Sequence, residues 1–99
     1  MTIHPGEILK EEFLVPLGLS AYRLARLIDV PQQRLTDLIA GHRSVTVDTA
    51  LRLGQYFQGD ARQGARFWLA LQARHDLDRA LDREGTRDEL AAIASRGAK

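Results

Sequence analysis

Ninety-nine residues carry 14 Lys and Arg against 13 Asp and Glu, with 44% apolar residues, a balance that suits one soluble helical domain with at most a short appendage. There is no cysteine, which excludes disulfides, thiolate metal sites and cysteine nucleophiles. No stretch approaches the roughly 18 apolar residues of a membrane helix and the opening lacks a secretory-signal pattern, so the expected location is the cytoplasm.

The near-neutral total hides a bias. Residues 1–19 hold one Lys against three Glu, residues 20–66 seven Arg against four Asp, and residues 67–99 six groups of each sign. The positive surplus falls in the middle of the chain, where phosphates would be met if the partner is nucleic acid.

In chain order, His4-Pro5-Gly6-Glu7 opens a first helix, with Pro5 at its start and Glu7 in the first turn, where acid complements the helix dipole. Ile8, Leu9, Phe13 and Leu14 turn toward a core. Pro16 is expected to stop this helix, and Leu17-Gly18-Leu19 to form a turn. Glu11 and Glu12 point about 100° apart on a helix, and no second polar cluster completes an acid–base site around them; they read as solvated surface.

Residues 20–44 read as a helix-turn-helix, and the rest of the chain is arranged around it. Ser20 is a suitable N-cap. Ala21, Leu24, Ala25 and Ile28 follow at i, i+3, i+4 and i+7, one apolar stripe. Pro31 lacks an N–H and disfavours helical geometry at Val30, so the first of these helices ends at Asp29-Val30. The second is expected over Pro31 to Ala40, with Leu35, Leu38 and Ile39 inward and Gly41 as a left-handed cap. Gln32, Gln33, Arg34, Thr36 and Asp37 remain outside. A surface meant only for water favours Glu and Lys. Gln suits adenine, Arg suits guanine and the Thr methyl suits thymine, and the start of a recognition helix is what reaches base edges. The competing reading is a polar solvated face on an ordinary helix pair.

Thr46 caps a further helix whose expected inward face is Val47, Ala50, Leu51 and Phe57, with Leu53 adjoining. Gly54 either weakens that helix or admits a close neighbour. Arg52 is placed on the surface, solvated or near phosphate. Residues 58–64, QGDARQG, read as a loop, and a long helix is expected from about Ala65 to Asp82. It is apolar on more than one stripe: Phe67, Trp68 and Leu71 on one edge, Leu69, Ala73, Leu77, Ala80 and Leu81 on another. One face packs on the domain. The other needs a partner or belongs to a wide monomer core; with a two-fold dimer as the economical solution, the expected dimer contacts are Trp68, Leu69, Ala73, Leu77 and Leu81. Arg74, Asp78, Arg79, Asp82 and Arg83 read as i,i+4 charge pairs on a wet face. Gly85 breaks the helix, Thr86 and Glu89 have capping-box spacing for a last helix over roughly 87–95, and the final Arg-Gly-Ala-Lys is expected to fray. This divides the chain into a domain over 1–83 and an extension over 84–99. His4, His42 and His75 lie far apart without helix-face spacing, which argues against a metal site. His75-Asp76 has half the form of a catalytic dyad but no accompanying nucleophile. Neither an enzyme nor a cofactor is expected.

Three stretches carry a family resemblance: HPGEILKEEFLVPLGLS, LARLIDVPQQRLTDLIAGHRSVTVDTALRLGQYF and FWLALQARHDL. In this order and spacing, from His4 to about Leu77, the chain resembles the HigA-type addiction-module antidote proteins, small members of the Xre, or phage-repressor-like, helix-turn-helix class. The resemblance implies an all-α, five- to six-helix bundle of the lambda-repressor-like type. It also implies a homodimer that represses its own operon by binding operator DNA, and a cognate toxin, an mRNA-cleaving nuclease, as protein partner. By position in the motif, Gln32, Gln33, Arg34, Thr36 and Asp37 would read bases, while Ser20, Arg23, His42 and Arg43 would meet phosphates. A stand-alone repressor and a helical protein-interaction module are the alternatives. Asp29 stands where the class often has Gly, and Ala21 where it often has a backbone-clamping Gln. The loop over 58–64 reads as longer than usual.

Overall fold

A computed structural model describes residues 3–97. Among them are six helices and no strand, the all-α architecture expected.

Helix α1 is continuous through three stretches: Pro5–Ile8, a π-helical turn over Leu9–Leu14, and Val15–Leu17. His4 is its N-cap, accepting the Gly6 N–H on Nδ1 at 2.9 Å, so imidazole here does what Ser or Asp does at most helix starts. Pro16 does not stop this helix. In α-helical register its ring would meet the carbonyl four residues back, but the turn ahead of it runs in i→i+5 register, with the Val15 N–H donated to the Lys10 carbonyl. The helix ends two residues later, at Gly18 with φ 63°.

Helix α2 spans Ala21–Ile28, α3 Gln32–Ile39, α4 Val47–Gln58, α5 Ala61–Asp82 and α6 Thr86–Gly97. Pro31 sits at the N-cap of α3 with ψ 138°, one position before its expected place. The core gathers Leu9 from α1, Leu24 from α2, Leu35 and Leu38 from α3, Leu53 from α4 and Trp68 from α5. Six such side chains, each worth about 1.5–3 kcal/mol when removed from water, supply the main drive for folding. Thr49, Ala50, Leu53 and Gly54 form the buried face of α4; Val47 and Leu51, expected inward, are exposed.

The expected loop over 58–64 is only Gly59 and Asp60. Gly59 takes φ 74° and the Asp60 carboxylate accepts the Gln63 N–H at 2.9 Å, starting α5 at Ala61. Gly64, which reads as a breaker, lies inside α5 because α4 crosses there at Gly54. A Cβ on Gly54 would lie 2.7 Å from the Ala65 nitrogen, and one on Gly64 would collide with the Gly54 backbone. Gly6 plays the same part on α1, resting on the Leu38 carbonyl, where a Cβ would overlap it. Two helices that touch backbone to backbone require glycine, and its helix-propensity cost is outweighed by the packing.

With 22 residues, α5 is about 33 Å long at 1.5 Å per residue, which accounts for much of the 53 Å long dimension. Trp68 is wholly buried inside the chain. It therefore cannot meet a second copy, and it drops out of the expected dimer contacts. Leu69 and Leu81 are half-buried, and Ala73 and Leu77 exposed. The expected i,i+4 charge pairs along 74–83 do not form among the described residues; Arg83 instead reaches Glu89, at 3.5 Å. Nor does Thr86 form the capping box. Its hydroxyl accepts from Arg83 Nε at 2.8 Å, and α6 starts at Thr86 itself. Arg96 and Gly97, expected to fray, are helical; Ala98 and Lys99 lie outside the described residues. No helix of the described residues is long and apolar enough to cross a membrane.

Candidate nucleic-acid interface

The helix-turn-helix is built as its residues dictate. Ser20 Oγ accepts the Arg23 N–H at 3.1 Å, capping α2. Asp29 makes the turn with φ 57° and ψ 55°, a left-handed conformation that Asp tolerates better than most residues. Val30 is buried against the core and its N–H goes back to the Ala25 carbonyl at 3.0 Å.

A side chain placed on the open surface by sequence holds this turn. Arg52 of α4 donates from one guanidinium nitrogen to the carbonyls of Ile28 at 3.0 Å and Asp29 at 3.3 Å. Its Nε meets both oxygens of Asp48, at 3.1 and 3.2 Å. Asp48 also pairs with Arg34 of α3 at 3.2 Å. A chain of charge-assisted bonds thus runs from the turn, through Arg52 and Asp48, to the second helix of the motif. Spacing along α4 predicts the Asp48–Arg52 pair (i,i+4); the reach to Ile28 and Asp29 crosses more than twenty residues and left no local signal.

On α3, Gln32, Gln33 and Thr36 are exposed, while Arg34 and Asp37 lie half-buried at its edges. Gln33 Nε2 donates to Asp37 Oδ1 at 2.7 Å, and Thr36 Oγ1 to the Gln32 carbonyl at 3.1 Å. Asp37 also faces Arg43 at 3.8 Å. The side-chain amide of Gln32 has no protein partner among the described residues. Of the expected phosphate contacts, Ser20 uses its hydroxyl as the cap, whereas Arg23, His42 and Arg43 are exposed. His42 and Arg43 leave α3 through Gly41, at φ 81°.

The long helix fixes this exit loop. Gln72, buried, accepts the Val45 N–H at 2.8 Å and donates to Asp76 at 2.9 Å. Beside it the three histidines, distant in sequence, line one cavity of about 170 Å³ together with Arg43, Asp76 and Arg79. The His4 and His75 rings meet edge to face with centroids 4.9 Å apart. Burial pushes His4 below the usual histidine pKa, the neighbouring His75 pushes the same way, and a hydrogen bond to the Arg43 backbone opposes them. Among the described residues no group of three His, Cys, Asp or Glu could hold a metal ion. The His75 ring faces His4, and Asp76 accepts from Gln72.

Comparison with known proteins agrees with this geometry. The helix-turn-helix family model matches residues 9–62. Virulence-associated protein I of Dichelobacter nodosus is 49% identical over 78 residues, covering 79% of this chain and 68% of that protein. Among solved structures, the antitoxin HigA of Pseudomonas aeruginosa with the higBA promoter is 37% identical, with a TM-score of 0.79 over 90% of this chain and 92% of that one. An addiction module antidote protein of the HigA family from Coxiella burnetii is 42% identical, with a TM-score of 0.76 over 90% and 94%. The chain belongs to the helix-turn-helix family, in its Xre-type, DNA-binding branch, where its structural neighbours are HigA-family antitoxins.

Proposed function

We propose that this chain is the antitoxin of a toxin–antitoxin pair, a homodimer that represses its own operon and binds an mRNA-cleaving toxin. The observation that carries the DNA half is the exposed amide and hydroxyl edge of α3, Gln32, Gln33 and Thr36, with Arg34 held beside it by Asp48. These groups match base edges in the major groove, and the likeness to an antitoxin described with its promoter supports the same use here. Arg23 and Arg43 are the cations, and His42 a ring donor, for flanking phosphates. A dimer through Leu69, Ala73, Leu77 and Leu81 of α5 would set two α3 helices about 34 Å apart, one turn of duplex; the exposure of Leu77 supports this.

The test is a gel shift of the chain's own upstream DNA against a scrambled duplex over a salt series, with and without the product of the adjacent reading frame. The expected result is sequence-selective binding with a steep salt slope, and a complex with the adjacent product that blocks its nuclease activity. Equal binding to both duplexes in both conditions overturns operator recognition. Selective DNA binding with no complex leaves a stand-alone repressor.

A further inference from the structure

The geometry points to the cavity between α1, the exit loop of α3 and α5 as a binding site for a phosphate-type oxyanion, held by Arg43, Arg79 and His42 with the Ser44 hydroxyl. Each of these residues lines the cavity. Its charged and titratable walls are His4 from α1, His42 and Arg43 from the loop, and His75, Asp76 and Arg79 from α5. At neutral pH two guanidinium groups face one carboxylate, and that carboxylate is already engaged by Gln72. Arg79 has no ion-pair or hydrogen-bond partner among the described residues, and Arg43 only the distant Asp37, at 3.8 Å. Two under-used guanidinium forks and a hydroxyl around one polar hollow match a tetrahedral oxyanion. A hollow of about 170 Å³ admits such an ion with residual water, since a water occupies about 30 Å³ of liquid.

His4 already uses Nδ1 to hold the Gly6 N–H. A free phosphate and a backbone phosphate of a duplex share this chemistry. In the second case Arg79 becomes a DNA contact outside the helix-turn-helix. The site itself does not depend on operator recognition.

The test is a titration of the full chain with inorganic phosphate, read on the histidine ring NMR signals, with chloride matching ionic strength. The expected result is a saturable shift of the His42 and His75 signals. Arg79→Gln weakens it at least about tenfold, the loss of one charge-assisted bond, while Arg62→Gln, on the same helix outside the cavity, leaves it unchanged. No saturable shift, or an Arg79→Gln titration equal to wild type, overturns the assignment. A second arm identifies the source. If the anion is a duplex phosphate, Arg79→Gln lowers the salt slope of duplex binding by about 0.9; if the slope is unchanged while phosphate still binds, the ligand is a free phosphate. If the wild-type chain binds no duplex while phosphate still binds, operator recognition falls and this site stands.

Discussion

Arg34 of α3 and Asp48 at the start of α4 form an ion pair at 3.2 Å, with the arginine side chain 31% and the aspartate 56% exposed. Only one guanidinium nitrogen is engaged, so the other donors of the fork stay available. Asp48 therefore aims Arg34 and does not consume it. The pair itself contributes at most about 1 kcal/mol to stability at such exposure. If α3 reads base edges as proposed, the pair acts in discrimination between duplexes: Arg34→Ala is then expected to cost about 1–3 kcal/mol of operator binding and to relax the sequence preference. Asp48→Ala is expected to lose part of the same preference while binding to scrambled DNA strengthens, because a carboxylate leaves the side proposed to meet phosphates. Competition titrations with operator and scrambled duplexes check both; wild-type discrimination by Asp48→Ala would remove the aiming role.

Asp29 stands at φ 57° in the turn that Arg52 clamps. A left-handed conformation costs an L-residue roughly 1–2 kcal/mol, less for Asp, and glycine nothing. Glycine gives back part of that gain through the entropy of the unfolded chain. Asp29→Gly is thus expected to stabilise by up to about 1 kcal/mol, seen as a higher denaturant midpoint with an unchanged slope. A lower midpoint would mean that the Asp29 side chain supports the turn by more than its strain.

Gly64 inverts the usual expectation for a glycine in a helix. On propensity alone, Gly64→Ala would stabilise α5 by about 1 kcal/mol. Here the new Cβ meets the Gly54 backbone, and backbone has nowhere to retreat. Overpacking of this kind costs typically 1–3 kcal/mol, so the net expected change is destabilising. Urea unfolding of Gly64→Ala checks the sign.

What could be read from the residues divides along the range of the interaction. The α2–α3 unit was legible because its signals are local: the Ser20 cap, the Leu24 and Ile28 stripe, and Pro31 at the break. The α4–α5 boundary was misplaced because Gly64 carries two meanings. A glycine beside Asp60 and Gly59 looks like a loop, and only the crossing with α4 at Gly54 makes it an interior packing residue. Trp68 reads as outward from the sequence for a related reason. Its helix has apolar residues on several sides, so periodicity alone does not say which stripe the domain claims. Arg52 and the histidine cavity are contacts between distant segments, His4 with His75 above all, and no spacing rule reaches across such a separation.

The histidine cap carries a pH dependence of stability with a definite sign. His4 is held below its ordinary pKa by burial and by His75, so the native state binds the proton less readily than the unfolded chain. Stability from this group is full above the unfolded value of about 6.5 and declines as pH falls from there through the folded value. Protonation of Nδ1 would also remove the acceptor for the Gly6 N–H. The urea midpoint is therefore expected to fall between pH 7 and pH 5, and to fall less in His4→Asn, which keeps a capping oxygen but does not titrate. An equal fall in both would place the acid sensitivity elsewhere.

Leu77 and Trp68 sit nine residues apart on one helix and should respond oppositely to substitution. Trp68 is wholly buried, so Trp68→Ala is expected to cost about 3–5 kcal/mol of folding stability, a large share of what a chain of this size has. Leu77 is 62% exposed, and a surface substitution away from the core changes stability by about 0.5 kcal/mol or less. If α5 forms the two-fold contact, Leu77→Glu places two carboxylates against each other across the axis. It then yields a folded monomer by sedimentation, with a wild-type circular dichroism spectrum and a thermal midpoint that no longer depends on protein concentration. Operator affinity falls with it, because one half-site no longer recruits the other. A Leu77→Glu protein that remains dimeric would move the interface off this stripe of α5.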